Sequence, residues 1–168
     1  MKNLVITDKE ISNQLFKNSV IVNLNNIEYS SCSGGLECLR SEGKCRFKDD
    51  MNLISKWMND CQLIIYVTRV KYGCFDIPFK RMLERLTVNL EPYYSYQDGE
   101  TCHLGVSQLK KKLLVIGYGD MNDIEKKIFK DLLDESTLGF SYSSVDAYFC
   151  EEHELEDALH TFGGVDHG

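Results

Sequence analysis

The stretch SCSGGLECLRSEGKCRFKDDM, residues 31–51, places Cys32, Cys38 and Cys45 within fourteen positions. Thiols so close together can ligate an iron–sulfur cluster or close a redox disulfide. They can also be the small side chains of a plain loop. Three polar stretches that follow apolar runs are the other places where chemistry could sit: TDKEISN (7–13), TRVKYGCFD (68–76) and GYGDMND (117–123). The histidines are 103, 153, 160 and 167; three of them fall in the acidic tail EEHELEDALHTFGGVDHG, which reads as a solvated helix with a frayed end rather than a metal site.

The apolar runs that position these stretches are KNLVIT (2–7), VIVNL (20–24), QLIIYVT (62–68), KLLVIG (112–117) and VDAYF (145–149). They are continuous rather than alternating, which fits strands buried on both faces of a parallel sheet. Helical patterns lie between them. Met51, Ile54 and Met58 share a face, with Asp49 or Asp50 as cap. Phe75, Phe79, Met82, Leu83 and Leu86 form a second stripe, with Asp76 as N-cap and Pro78 in the first turn. Ile124, Ile128 and Leu132 form a third. Alternating strands and helices imply βαβ units with right-handed crossovers. The expected fold is an α/β three-layer sandwich over a five-stranded parallel sheet of order 2-1-3-4-5, one domain over residues 1–168. In such sheets ligands bind beyond the carboxyl ends of the strands at the switch in strand order. The loops after strands one, three and four are those named above. EPYYSYQDGETCH (91–103) reads as a polar aromatic loop, either a lid, part of a dimer face or plain surface.

Composition narrows the function classes. The chain has 168 residues, 43% hydrophobic and 27% charged, with a net charge of −7. That charge argues against nucleic acid as a partner, because phosphate binding needs a basic face. No apolar run approaches the roughly 18 residues of a membrane span, and MKNLVITDKE lacks a signal-peptide pattern. Seven cysteines without an export signal point to a reducing cytoplasm.

The segment CQLIIYVTRVKYGCFDIPFKRMLER (61–85) resembles the central part of the flavodoxin-like NAD(P)H-dependent FMN reductases, a group that includes the iron–sulfur flavoproteins. The family pattern is an apolar strand, T-P-V-Y-x-G, then a helix reading S-x-x-L-K-x-x-x-D-R. Thr68, Val70, Gly73, Lys80 and Arg85 match it, while Arg69, Lys71, Asp76 and Glu84 depart. Cys32, Cys38, Cys45 and Asp49-Asp50-Met51 match the upstream cysteine and D-D-M motif, with Gly35 at the second cysteine position. The resemblance therefore implies a degraded cluster loop and no iron–sulfur cluster.

It also implies an FMN site. Thr7, Ser12 and Asn13 fall on the phosphate loop; Thr68, Val70, Lys71, Tyr72 and Gly73 on the ring-binding loop; Gly117, Tyr118 and Gly119 on the flanking glycine-rich loop. Tyr72 could stack on the ring and Lys71 could place charge at its pyrimidine end. The phosphate loop departs most. Asp8 and Glu10 bring negative charge to it, and one carboxylate within ~5 Å of a phosphate costs on the order of 1–3 kcal/mol. Asp8 can equally be an ordinary N-cap. A helix of about two turns is expected after the loop, with Ile11 and Leu15 facing the sheet. The implied activity is an FMN-dependent oxidoreductase that takes hydride from NAD(P)H and reduces a small acceptor, with weak FMN affinity and a homodimeric state. No side chain is required as acid or base, so no catalytic residue is assigned. The alternative is a non-enzymatic binding or assembly partner that has lost tight FMN binding.

Overall fold

The computed structural model describes residues 3–41, 43–97, 99–137, 140 and 142–163. In chain order the elements are β1 (Asn3–Thr7), β2 (Ser19–Asn23), α1 (Glu37–Arg40), α2 (Met51–Asp60), β3 (Leu63–Lys71), β4 (Cys74–Phe75), α3 (Ile77–Arg85), β5 (Leu90–Gln97), β6 (Glu100–Gly105), β7 (Lys111–Tyr118), α4 (Asp123–Thr137), β8 (Tyr142–Cys150) and α5 (Leu155–Gly163). Five strands form a parallel sheet in the order β2-β1-β3-β7-β8. The short β4 adds antiparallel to the end of β3, and β5 and β6 form a separate hairpin.

The continuous apolar runs bury both faces of this sheet, because successive side chains alternate sides. Leu4, Ile6, Ile64, Tyr66, Leu113 and Val115 pack against α2, α3 and α4. Val5, Ile65, Val67, Leu114 and Ile116 pack on the other side against Leu155, Ala158 and Leu159 of α5 and against Phe16. The acidic tail is thus a covering helix along residues 155–163 and not a solvated one. Residues 164–168, with His167, lie outside the described residues.

The expected first helix is absent. Residues 8–18 cross from β1 to β2 through turns and bends. A helix advances only about 1.5 Å per residue, and a crossover of this length has too few residues for both helix and turns. A plug replaces the helix: Phe16 is buried, and Ile11 and Leu15 pack beside it on the sheet as expected. The end of α5 closes over this plug. A Cβ on Gly163 would lie 2.1 Å from the Leu15 carbonyl oxygen, so only glycine permits the contact.

Other helices keep their expected faces, with one exception. Met51, Ile54 and Met58 of α2 and Phe79 and Met82 of α3 are buried. Asp76 caps α3 by accepting from Ile77 N–H at 2.8 Å. In α4 the stripe is displaced: Ile124 is 71% exposed and Ile128 also faces outward, while Phe129 and Leu133 are buried. The segment expected as a tyrosine loop is the β5–β6 hairpin, with Tyr93, Tyr94 and Tyr96 exposed. No described helix is long and apolar enough to cross a membrane.

Candidate functional site

β1, β3 and β7 are neighbours, and their carboxyl ends meet around one carboxylate. Asp8, directly after β1, is 9% exposed. Its Oδ1 accepts from the Tyr118 hydroxyl at 2.8 Å. Its Oδ2 accepts from Arg69 N–H at 2.9 Å and from the Thr68 hydroxyl at 3.2 Å. Its backbone is held as well, by Asp8 N–H to the Val67 carbonyl at 3.2 Å and by Asn25 Nδ2 to the Asp8 carbonyl at 2.6 Å.

A charged layer lies over this centre. The Arg69 guanidinium donates to both Glu152 oxygens at 2.9 Å, and Lys9 Nζ donates to Glu152 Oε1 at 2.8 Å. Both cations sit over the Tyr118 ring, at 5.2 and 5.3 Å from its centroid. The remaining space is a shallow cavity of about 280 Å³ bordered by Asp8, Lys9, Asn25, Arg69, Asp76 and Tyr118. Ligand pockets usually run from about 300 to 1,000 Å³, so this one falls just below that range.

Burial pushes the Asp8 carboxyl above its ordinary range, against the lowering effect of its three donors. Burial likewise raises the Tyr118 hydroxyl, reinforced by the Asp8 charge. Burial opposes the Arg69 charge, but the bonds to Glu152 outweigh it and hold the guanidinium up. Glu152 is lowered by its bonds to Lys9 and then Arg69.

The residues read from the sequence are only partly brought together. Thr68 and Tyr118 meet at Asp8. Thr7 is buried next to them, but its hydroxyl is engaged locally, donating to the Lys9 carbonyl at 2.9 Å and accepting from Lys9 N–H at 3.0 Å. Ser12 and Asn13 are exposed on the crossover and border other clefts. Glu10 also turns away: its carboxylate accepts from Asn26 Nδ2.

The segment expected as a loop after strand three is a continuation of β3. Val70 and Lys71 pair with Phe75 and Cys74, and Tyr72 and Gly73 form the connecting turn with φ of +55° and +67°. Two positive φ values suit a tight hairpin turn. A Cβ on Gly73 would sit 2.9 Å from Ile128 Cγ2, so the turn is packed on α4. Tyr72 projects outward, 81% exposed, with Lys71 Nζ 5.5 Å from its ring centroid. Gly117 is wedged between Val70 and Phe149, and Gly119 N–H donates to the Cys150 carbonyl at 3.2 Å.

Sequence reasoning missed the central role of Asp8 and the participation of Arg69, Asn25 and Glu152. The available signal was the Thr7-Asp8 pair directly after the apolar run Leu4-Val5-Ile6.

The cysteine loop is a different kind of place. Cys32, Cys38 and Cys45 are free, partly buried thiols. Burial pushes the Cys38 thiol up, with smaller contributions from its neighbours Cys45 and Cys32. Among the described residues no group of three or more His, Cys, Asp or Glu side chains is placed to share a metal ion. The matched motif residues have a scaffolding role. Asp49 and Arg85 form a bidentate pair, both contacts at 2.9 Å, and Arg85 also donates to the Ser30 carbonyl at 2.6 Å. This pins the 30–49 segment to α3.

The chain superposes on Smu.1420 from Streptococcus mutans with a TM-score of 0.68 and 13% identity, over 97% of each chain. An NAD(P)H:quinone oxidoreductase from Methanothermobacter marburgensis matches at 0.64 and 11% identity, over 100% of this chain and 98% of that one. An FMN-dependent NADH-azoreductase from Bacillus anthracis, solved with FMN, matches at 0.59 and 11%, over 97% and 94%. The chain has the flavodoxin-like fold. No protein-family model matches it, and no curated protein does.

FMN, which this fold implies, fits the flavodoxin-like crevice unevenly. A phosphate dianion is normally met by backbone N–H groups, hydroxyls and a helix N-terminus. Here the helix is missing, and Asp8 has already taken Thr68, Arg69 N–H and Tyr118 as donors. The residues after β1 do not fit a phosphate.

Proposed function

We propose that this flavodoxin-like chain is a flavin-dependent NAD(P)H oxidoreductase acting on a small acceptor, with its flavin held weakly at the carboxyl end of the sheet. The carrying observation is the crevice itself: hydroxyls, a backbone N–H and two cations converge where β1, β3 and β7 end. This is the switch point at which parallel sheets take their ligands. The fold shared with a quinone oxidoreductase and an FMN-dependent azoreductase supports the same reading.

In this reading Tyr72 offers an exposed aromatic face to the ring and Lys71 a neighbouring cation, while Val70, Gly73, Gly117 and Gly119 are buried and pack the turn and the end of β7 rather than meeting the ligand. Thr7 and Thr68 are buried beneath the crevice, and Ser12 and Asn13, which border other clefts, are left out of the site. A bound flavin supplies the redox chemistry; the protein binds and orients it. A homodimer, with the exposed tyrosines of the β5–β6 hairpin at the contact, belongs to the same proposal. The chain is expected to work in the cytoplasm. The test is oxidation of NADH or NADPH with a small quinone as acceptor, with and without added flavin. Turnover that depends on added flavin is the expected result.

One observation favours a second reading. Asp8 closes the crevice with the protein's own anion, which suits a flavodoxin-like domain serving as a binding or assembly partner without tight flavin. Absence of any flavin-dependent turnover would leave that reading in place.

A further inference from the structure

We propose that the crevice selects against the 5′-phosphate and takes riboflavin, the neutral dephosphorylated flavin, in preference to FMN. This rests on the flavin reading above and names the ligand class for it. Asp8 puts a carboxylate of the chain's own at the end of β1. Three donors on two neighbouring strands converge on its carboxylate at 2.8 to 3.2 Å. A phosphate arriving there would find those donors taken and a carboxylate facing it.

The nearby cations do not change this. Arg69 and Lys9 are both committed to Glu152. Counting Asp8, Asp76 and Glu152 against Lys9 and Arg69, the cavity walls carry one net negative charge before any ligand enters. The missing helix removes the remaining source of positive potential at the end of β1. A polyhydroxyl side chain meets a different surface. Its hydroxyls can donate to Asp8 and Asp76, and the Asn25 amide lies on the same wall. Carboxylates and an amide bind sugar-like hydroxyls well and phosphates poorly.

Riboflavin and FMN share their ring, so their difference reads the 5′ end alone. Both are titrated by flavin fluorescence quenching against wild type and Asp8→Asn, and inorganic phosphate is added to the riboflavin complex. Wild type is expected to bind riboflavin about tenfold tighter than FMN, the effect of one unscreened charge repulsion. Phosphate should not displace it. Asp8→Asn keeps an acceptor for Arg69 N–H and the Thr68 hydroxyl, turns its amide to donate to the Tyr118 oxygen, and removes the charge. It should tighten FMN by about tenfold and move riboflavin by less than about threefold. FMN binding wild type more tightly than riboflavin overturns the proposal without any variant, as does an unchanged preference in Asp8→Asn. If neither flavin binds either protein, the flavin reading itself falls and the proposal with it.

Discussion

Two carboxylates near the motif segments titrate in opposite senses. Asp49 is held below its ordinary range, first by its bonds to Arg85, despite some burial. Its stabilising contribution is therefore present above the unfolded-state value and lost as pH falls through the lower folded value. Asp8 is raised by burial. The folded state then binds its proton first, so the Asp8 term favours folding increasingly as pH falls through the raised value. Urea unfolding of wild type, Asp49→Asn and Asp8→Asn from neutral to about pH 3 separates the two. Asp49→Asn should flatten the loss of stability on the acid side, and Asp8→Asn should remove an opposing gain. At neutral pH, Asp49→Ala should cost about 3–5 kcal/mol, because it strands a buried guanidinium; the Arg85 side chain is only 2% exposed. In the proposed flavin site Tyr72 is the residue that would meet the ring. Its removal in Tyr72→Ala should leave thermal stability unchanged, since the ring is exposed. It should weaken flavin binding about fivefold if the ring stacks on the ligand. An unchanged affinity would exclude Tyr72 from the site.

At the scale of elements, the crossover from β1 to β2 is the feature that sets this molecule apart. Phe16 does the work of a helix by filling the layer between the sheet and α5. Phe16→Ala should destabilise by about 3–5 kcal/mol in a denaturant titration, as for other buried phenylalanines. The parallel strands were legible in the sequence because both faces of the central ones are buried, which leaves unbroken apolar runs such as residues 63–67 of β3. Crossover rules fix only the handedness of the connections; the order 2-1-3-4-5 is that of the flavodoxin-like fold which the 61–85 segment resembles. The β5–β6 hairpin was not read as strand, although Tyr94 and Tyr96 alternate ahead of Gly99, because tyrosines and polar residues together resemble loop composition. The α4 stripe was misphased. Ile124 and Ile128 have the same spacing as Phe129 and Leu133, and spacing alone cannot choose between adjacent faces. The burial of α5 was masked by its charged neighbours, which leave Leu155, Ala158, Leu159 and Phe162 as the apolar signal. Asp8 was read as an unfavourable neighbour of a ligand. Its burial depends on Tyr118, Thr68 and Arg69, which reach it only once three strands are assembled.

For the whole molecule, the flavodoxin-like sheet delivers a crevice at its switch point, and the local chemistry there is anionic. The net charge of −7 acts in the same direction, opposing the approach of phosphorylated ligands. Under the proposed flavin reading FMN is therefore expected to be held loosely. The most direct test is a fluorescence-quenching titration of FMN against the wild-type chain. Saturable binding in the micromolar range is the predicted result. Nanomolar binding would contradict the unfavourable role assigned to Asp8, and no quenching at any concentration would contradict the flavin site itself.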